Sequence, residues 1–354
     1  MYNFSSVSKH RNLLLGIAAF WVAWFHSYDV DFSAVKALVF LNIGSLLECL
    51  KLIGNSGVDI FLFLSGIGLY FSFSNNPDVP SFYRRRFLRI IPTSFVVAFI
   101  ITILSPIKSI WHFLARITFI DYFIIKSDSN PFWYISAIIL LYLLFPLFYK
   151  LIGKFKIWGA AVIVVVSVII FVLLYFVDYD YLYQIEMLLA RIPVFVAGIL
   201  IAPLVKKGYE ISNVKALIIC LSGILYFPLL FILMGALPGN LRFAKHYLYC
   251  PLAVFVVFII TFICSHVKLS FLTKPFEFLG LYSLEFYLIH PMLYIYMSDK
   301  IGFFKEHQIF YAITAMAVSL LLAIILKYVI KKITDVTGIT KSGNSAEAGS
   351  GGRK

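Results

Sequence analysis

Charge is the scarcest property of this chain. Asp, Glu, Lys and Arg make up 13% of 354 residues, against about 25% in an ordinary globular protein. With 62% apolar and 18% aromatic residues alongside, that scarcity excludes a soluble domain. Cysteine is sparse too. Cys49, Cys220, Cys250 and Cys264 are scattered and form no CxxC pair, which argues against a disulfide framework or a thiolate metal site, and no metal is expected. No internal repeat is visible, which weakens a transporter built from inverted repeats. The first apolar segment has no small-residue cleavage site and leads straight into more apolar sequence, so no cleavable signal peptide is expected.

What the chain has is apolar length. Ten stretches, at approximately 12–28, 57–74, 87–104, 132–149, 157–177, 185–204, 214–234, 247–265, 278–298 and 309–330, are each long enough to span a bilayer. They predict an all-α integral membrane protein: one polytopic domain over residues 1–340, a bundle of about ten transmembrane helices. The Gly-, Ser- and Ala-rich segment 341–354 reads as a disordered tail of the kind an expression vector leaves. With the N-terminus inside, eighteen Lys and Arg fall on inner segments and nine on outer ones, so both termini are expected in the cytoplasm. The net charge of +13 then reports topology and contact with membrane lipids, not nucleic-acid binding. Two outer segments exceed simple turns. Residues 29–56, with Lys36, Glu48 and Lys51, suit an interfacial or re-entrant helix better than an eleventh span. Residues 105–131 mix aromatic and charged groups in the same way.

The costly residues are those inside the spans. His26 ends the apolar run RNLLLGIAAFWVAWFHS, fifteen residues after Arg11. At 1.5 Å per residue that is roughly 22 Å above Arg11, past the midplane of the bilayer. Ionisable groups at such depth mark a pathway or a reaction centre. Asp59 opens span two from outside, Arg191 lies about 10 Å down span six, and His290 about 18 Å up span nine, with Glu285 lower at about 10 Å. His26, Asp59, Arg191 and His290 therefore share one slab of the outer half. Each also has a plainer reading: a core histidine bonded to a carbonyl for His26, a helix cap for Asp59, an ion pair with Glu285 or Asp59 for Arg191, and a partner for backbone freed by Pro291 for His290.

A second cluster is FYRRRFLRIIP, which places Arg84, Arg85, Arg86 and Arg89 at a helix N-terminus. The helix dipole disfavours cations there, so an anion is expected, and guanidinium forks suit phosphate oxygens. A phosphate clamp below and an imidazole above fit a phosphorylated carrier whose long arm reaches up between helices. An acyl-CoA has that form. His26 would act as general base on an acceptor hydroxyl, or carry the acyl group covalently. Asp59 or Glu285 would fix its tautomer, and Arg191 or Tyr282 would stabilise the oxyanion. The outer aromatics Trp111, Trp133 and Tyr134 suit stacking on sugar faces as well as an interfacial belt.

In order, GIAAFWVAWFHS, GVDIFLFLSGIGL, FYRRRFLRIIP, PFWYISAIILLYLLFP, RIPVFVAG and LGLYSLEFYLIHP make the chain resemble membrane acyltransferase family 3 over about residues 9–332. The resemblance implies a ten-helix fold in the bacterial cytoplasmic membrane, and acetyl-CoA as cytoplasmic donor. The acceptor it implies is a cell-surface or lipid-linked carbohydrate. It points to His26 as the essential imidazole and to Arg84, Arg85 and Arg86 as the basic motif near the donor. The family commonly has an arginine eleven residues before the histidine. Here that position is Leu15, and Arg11 lies one turn earlier. Against the acyltransferase stand a transporter or flippase for an anionic or glycolipid substrate and a non-catalytic assembly factor. Self-association into a homo-oligomer is compatible with all three.

Overall fold

Apolar runs and their prolines dictate where the helices start, stop and break. The structure, a computed structural model, describes residues 1–27, 43–104, 109–125, 131–239, 244–300 and 307–336. In chain order its helices are α1 (Ser6–Lys9), α2 (Arg11–Phe25), α3 (Ile43–Leu52), α4 (Gly57–Asn75), α5 (Val79–Leu104), α6 (Ile110–Ile117), α7 (Asp121–Ile124) and α8 (Trp133–Phe155). There follow α9 (Ile157–Val177), α10 (Tyr179–Leu189), α11 (Ile192–Lys207), α12 (Asn213–Ala236), α13 (Lys245–His266), α14 (Ser270–Leu281), α15 (Ser283–Lys300) and α16 (Gln308–Val336). The strand content among the described residues is one antiparallel pair, β1 (Tyr2–Asn3) against β2 (Glu210–Ile211). It seats the fully buried Tyr2, whose hydroxyl bonds the Thr261 hydroxyl at 2.7 Å.

The protein is an all-α membrane protein. Among the described residues eight segments are long and apolar enough to cross a bilayer: α4, α5, α8, α9, the α10–α11 pair, α12, α13 and α16. On α9 and α12 much of the apolar surface is exposed, Ile169, Phe176, Ile224 and Leu225 among it. Such faces are stable against lipid, not water.

Two of the ten expected spans take a different form. The run 12–28 is helical only over Arg11–Phe25, and His26 is its C-cap. The chain closes there because the Ser27 N–H and hydroxyl both donate to the Trp24 carbonyl. The run 278–298 is broken at Tyr282 into α14 and α15. Span six is likewise broken, at Ala190–Arg191. Pro193 has no N–H for the Leu189 carbonyl and its ring clashes with that turn, so the helix restarts at Ile192.

Of the outer segments, α3 is a ten-residue helix, too short to span, and the Trp21 indole N–H donates to its Leu50 carbonyl at 2.8 Å. Glu48 and Lys51 pair within it at 3.0 Å. Lys36 lies outside the described residues, as does the 341–354 tail. From the second outer segment, α6 and α7 lie over the starts of α8 and α10: Ser136 donates to the Phe119 carbonyl at 2.7 Å and Gln184 to the carbonyl of Tyr122.

Helices at the centre approach closely because glycine permits it. A Cβ on Gly16 of α2 would stand 1.7 Å from the Phe276 carbonyl oxygen of α14, and one on Gly280 1.9 Å from that of Asn12. Gly66 of α4 and Gly198 of α11 form a second such contact, at 2.4 and 2.2 Å from opposing carbonyls. Small residues drive helix association where no hydrophobic effect operates between helices. Helix α2 packs in turn against α4 and α15.

Candidate active site

The end of α2 and the middle of α15 meet through their histidines. His26 Nδ1 lies 2.9 Å from His290 Nε2, and His290 Nδ1 lies 3.0 Å from the Phe286 carbonyl oxygen. A carbonyl only accepts, so His290 carries its proton on Nδ1 and, when neutral, accepts at Nε2. His26 must then donate from Nδ1, which leaves its Nε2 as the basic nitrogen. This is the chain of base and orienting group used to activate hydroxyls, with a second imidazole in place of a carboxylate. His290 is completely buried and stacks on Phe286 at 5.5 Å, so its ring is held on two sides. His290 therefore partners backbone and faces His26 at once.

Close by lies a cavity of about 200 Å³, which neither histidine lines. Arg11 from the start of α2 and Arg86 and Arg89 from α5 line one end. Phe61 of α4, Tyr134 of α8 and Tyr287 of α15 line the other. Tyr287 is one turn before His290, and the two rings meet edge to face at 5.7 Å. Ser65 and Tyr142, 3.4 Å apart through their hydroxyls, lie between the two ends. Arg11 has Arg86, Arg89, Tyr134 and Tyr142 within electrostatic reach, so three guanidiniums share the space despite mutual repulsion. Leu15 lines the same cavity one turn above Arg11; the guanidinium enters from one turn lower.

Asp59 and Arg191 form a separate pair, with Arg191 Nε 3.5 Å from Asp59 Oδ2 and both side chains fully buried. Arg191 Nη1 donates to the Met187 carbonyl at 3.2 Å, and its guanidinium covers the Trp133 ring at 5.0 Å. That carbonyl is available because the helix break turns the Arg191 N–H to Leu188 instead. The N-cap of α4 is Ser56, and Asp59, in the first turn, serves as counter-charge to Arg191. Beside it stands a couple that the sequence reading missed. His246 Nδ1 donates to Glu186 Oε2 at 2.9 Å, and the Asn55 amide reaches His246 Nε2 at 3.4 Å. Tyr249 lies within reach of Asp59, Glu186 and Arg191 together. Glu186 stands five residues before Arg191 in an apolar span, which was a usable signal; nothing local distinguished His246.

The remaining candidates are dispersed. Glu285, in the first turn of α15, faces Lys327 and Arg89, and the tautomer-setting role expected of it or Asp59 falls to His290. Tyr282 sits at the α14–α15 junction against Phe278 and under the Lys327 ammonium at 5.0 Å, two turns below His290. Arg84, Arg85 and Arg89 are exposed and Arg86 is half-buried, and of the four only Arg86 and Arg89 line the cavity. Trp111, on α6, is 75% exposed.

A half-buried imidazole, paired with a buried one close to a basic cavity inside a membrane bundle, is an arrangement suited to a membrane enzyme. The acyltransferase domain of acyltransferase family 3 matches residues 12–328, and the chain belongs to that family. Acyltransferase MdmB of Streptomyces mycarofaciens is 28% identical over 145 residues, which cover 36% of this chain and 38% of that protein. The chain thus spans about two fifths of that relative's length. No solved structure matches the chain.

Proposed function

We propose that this acyltransferase moves an acetyl group from cytoplasmic acetyl-CoA to a hydroxyl of a cell-surface or lipid-linked carbohydrate, in the bacterial cytoplasmic membrane. The observation that carries the reading is the polarity of the cavity: Arg11, Arg86 and Arg89 at one end, and the ring beside His290 at the other. Phosphate oxygens of the donor bind the guanidiniums as charge-assisted pairs, and the uncharged arm extends towards the imidazoles. His26 Nε2 takes the acceptor's hydroxyl proton as that oxygen attacks the thioester carbon. The C–O bond forms, the C–S bond breaks, and the departing thiolate recovers the proton from the His26 imidazolium. Through this cycle His26 Nδ1–H stays on His290, which disperses the transient charge towards the Phe286 carbonyl.

Purified protein in detergent, given radiolabelled acetyl-CoA and a crude glycan extract, is expected to label the glycan. His26→Ala is expected to abolish labelling with the protein still folded. Label that stays on CoA while a glycolipid probe crosses vesicle membranes would identify a flippase instead.

A further inference from the structure

The upper end of the cavity is closed by three rings from three helices. Phe61 and Tyr134 have centroids 6.3 Å apart, Phe61 and Tyr287 6.0 Å, and Tyr134 and Tyr287 4.9 Å. Phe61 is 7% exposed and Tyr287 6%, so the rings abut packed protein on their far side. Above Tyr287 stands His290, and beyond it His26. The wall stands between the cavity and the imidazole pair, so a thioester rising from the arginines meets the rings before it reaches the base. On the donor reading above, the acyl group is the part of the ligand that touches these rings.

We infer that Phe61, Tyr134 and Tyr287 set the acyl-chain length of the donor and confine it to acetyl. The argument is one of space. The cavity holds about 200 Å³ in all, and its lower end is committed to the guanidiniums. Interiors are close-packed, so an added methylene finds no void and must displace a ring. Aromatic rings have two torsions and no soft tail, so they yield less than Leu or Met in the same place. A tight apolar pocket discriminates one methylene by roughly ten- to two-hundredfold. Phe61 is the ring to test, because Tyr287 touches His290 and Tyr134 faces Arg11.

The test is displacement of radiolabelled acetyl-CoA from the full-length protein in detergent by unlabelled acetyl-, propionyl-, butyryl- and hexanoyl-CoA. The wild type is expected to need at least tenfold more propionyl-CoA than acetyl-CoA for half displacement, and more again of the longer chains. Phe61→Ala is expected to lower the butyryl-to-acetyl ratio at least tenfold. Tyr134→Leu is the second variant if Phe61→Ala does not fold. Equal displacement by acetyl- and hexanoyl-CoA in the wild type, or an unchanged ratio in a folded variant, would overturn the inference and leave the donor reading standing. Absence of any acyl-CoA binding would remove both.

Discussion

Replacing His290 with phenylalanine isolates the contribution of the imidazole pair. Phenylalanine keeps a ring on Phe286 and removes both nitrogens, so His26 Nδ1–H loses the acceptor now at 2.9 Å. The loss is greatest when His26 is an imidazolium, in the step that forms the acyl–oxygen bond. A hydrogen bond to a charged group is worth about 1.5–3 kcal/mol. At about 1.36 kcal/mol per tenfold in rate, kcat is expected to fall about 10- to 150-fold. KM for acetyl-CoA is expected to move much less, because the guanidiniums proposed to hold the donor line a cavity that His290 does not line. His290→Gln, whose amide oxygen can accept from Nδ1–H, is expected to recover part of kcat. The assay is initial-rate transfer of radiolabelled acetyl at saturating acetyl-CoA, with thermal unfolding as the check on folding. A folded His290→Phe protein with more than half of wild-type kcat would refute the role of His290 in orienting His26.

Arg11→Gln, Arg86→Gln and Arg89→Gln should each weaken acetyl-CoA binding, by about 10- to 150-fold for a lost charge-assisted bond. Arg84→Gln and Arg85→Gln, on the exposed side of α5, should weaken it less, and an equal loss at all five would indicate a topology defect. Asp59→Asn or Arg191→Met alone strands a buried charge and should destabilise by about 3–5 kcal/mol. The double variant should regain part of that in thermal unfolding, whereas additive losses would contradict a direct pair. Gly16→Val should prevent α2 and α14 from closing and yield aggregated protein on size exclusion. Gly153→Ala, with no neighbouring atom within 4 Å, should behave as wild type.

The main lines of the fold were legible because a bilayer leaves few choices. Apolar length identified the membrane class, and a constant rise per residue set depth. His26 and His290 were therefore placed at one level from two distant segments. Depth says nothing about azimuth. Successive residues of a helix point about 100° apart, so Arg84, Arg85 and Arg86 face three directions; spacing lets either Arg85 or Arg86 share a face with Arg89, and helix packing brings Arg86 to the cavity. Helix breaks were harder to see. Pro193 announced one, whereas the break at Tyr282 follows from how α14 closes on α2 through Gly280 and Gly16.

By itself, then, the sequence determined a membrane bundle, the depth of its histidines and the presence of an arginine cluster. Tertiary structure alone decided the partners. It gave His26 to His290 and not to Asp59, paired Asp59 with Arg191, and brought Glu186 onto His246 from sixty residues away. It also selected which arginines reach the cavity. The reason is physical: composition and rise fix position along the membrane normal, while neighbours in the plane are chosen by helix packing, here by the few glycine contacts that let particular backbones meet.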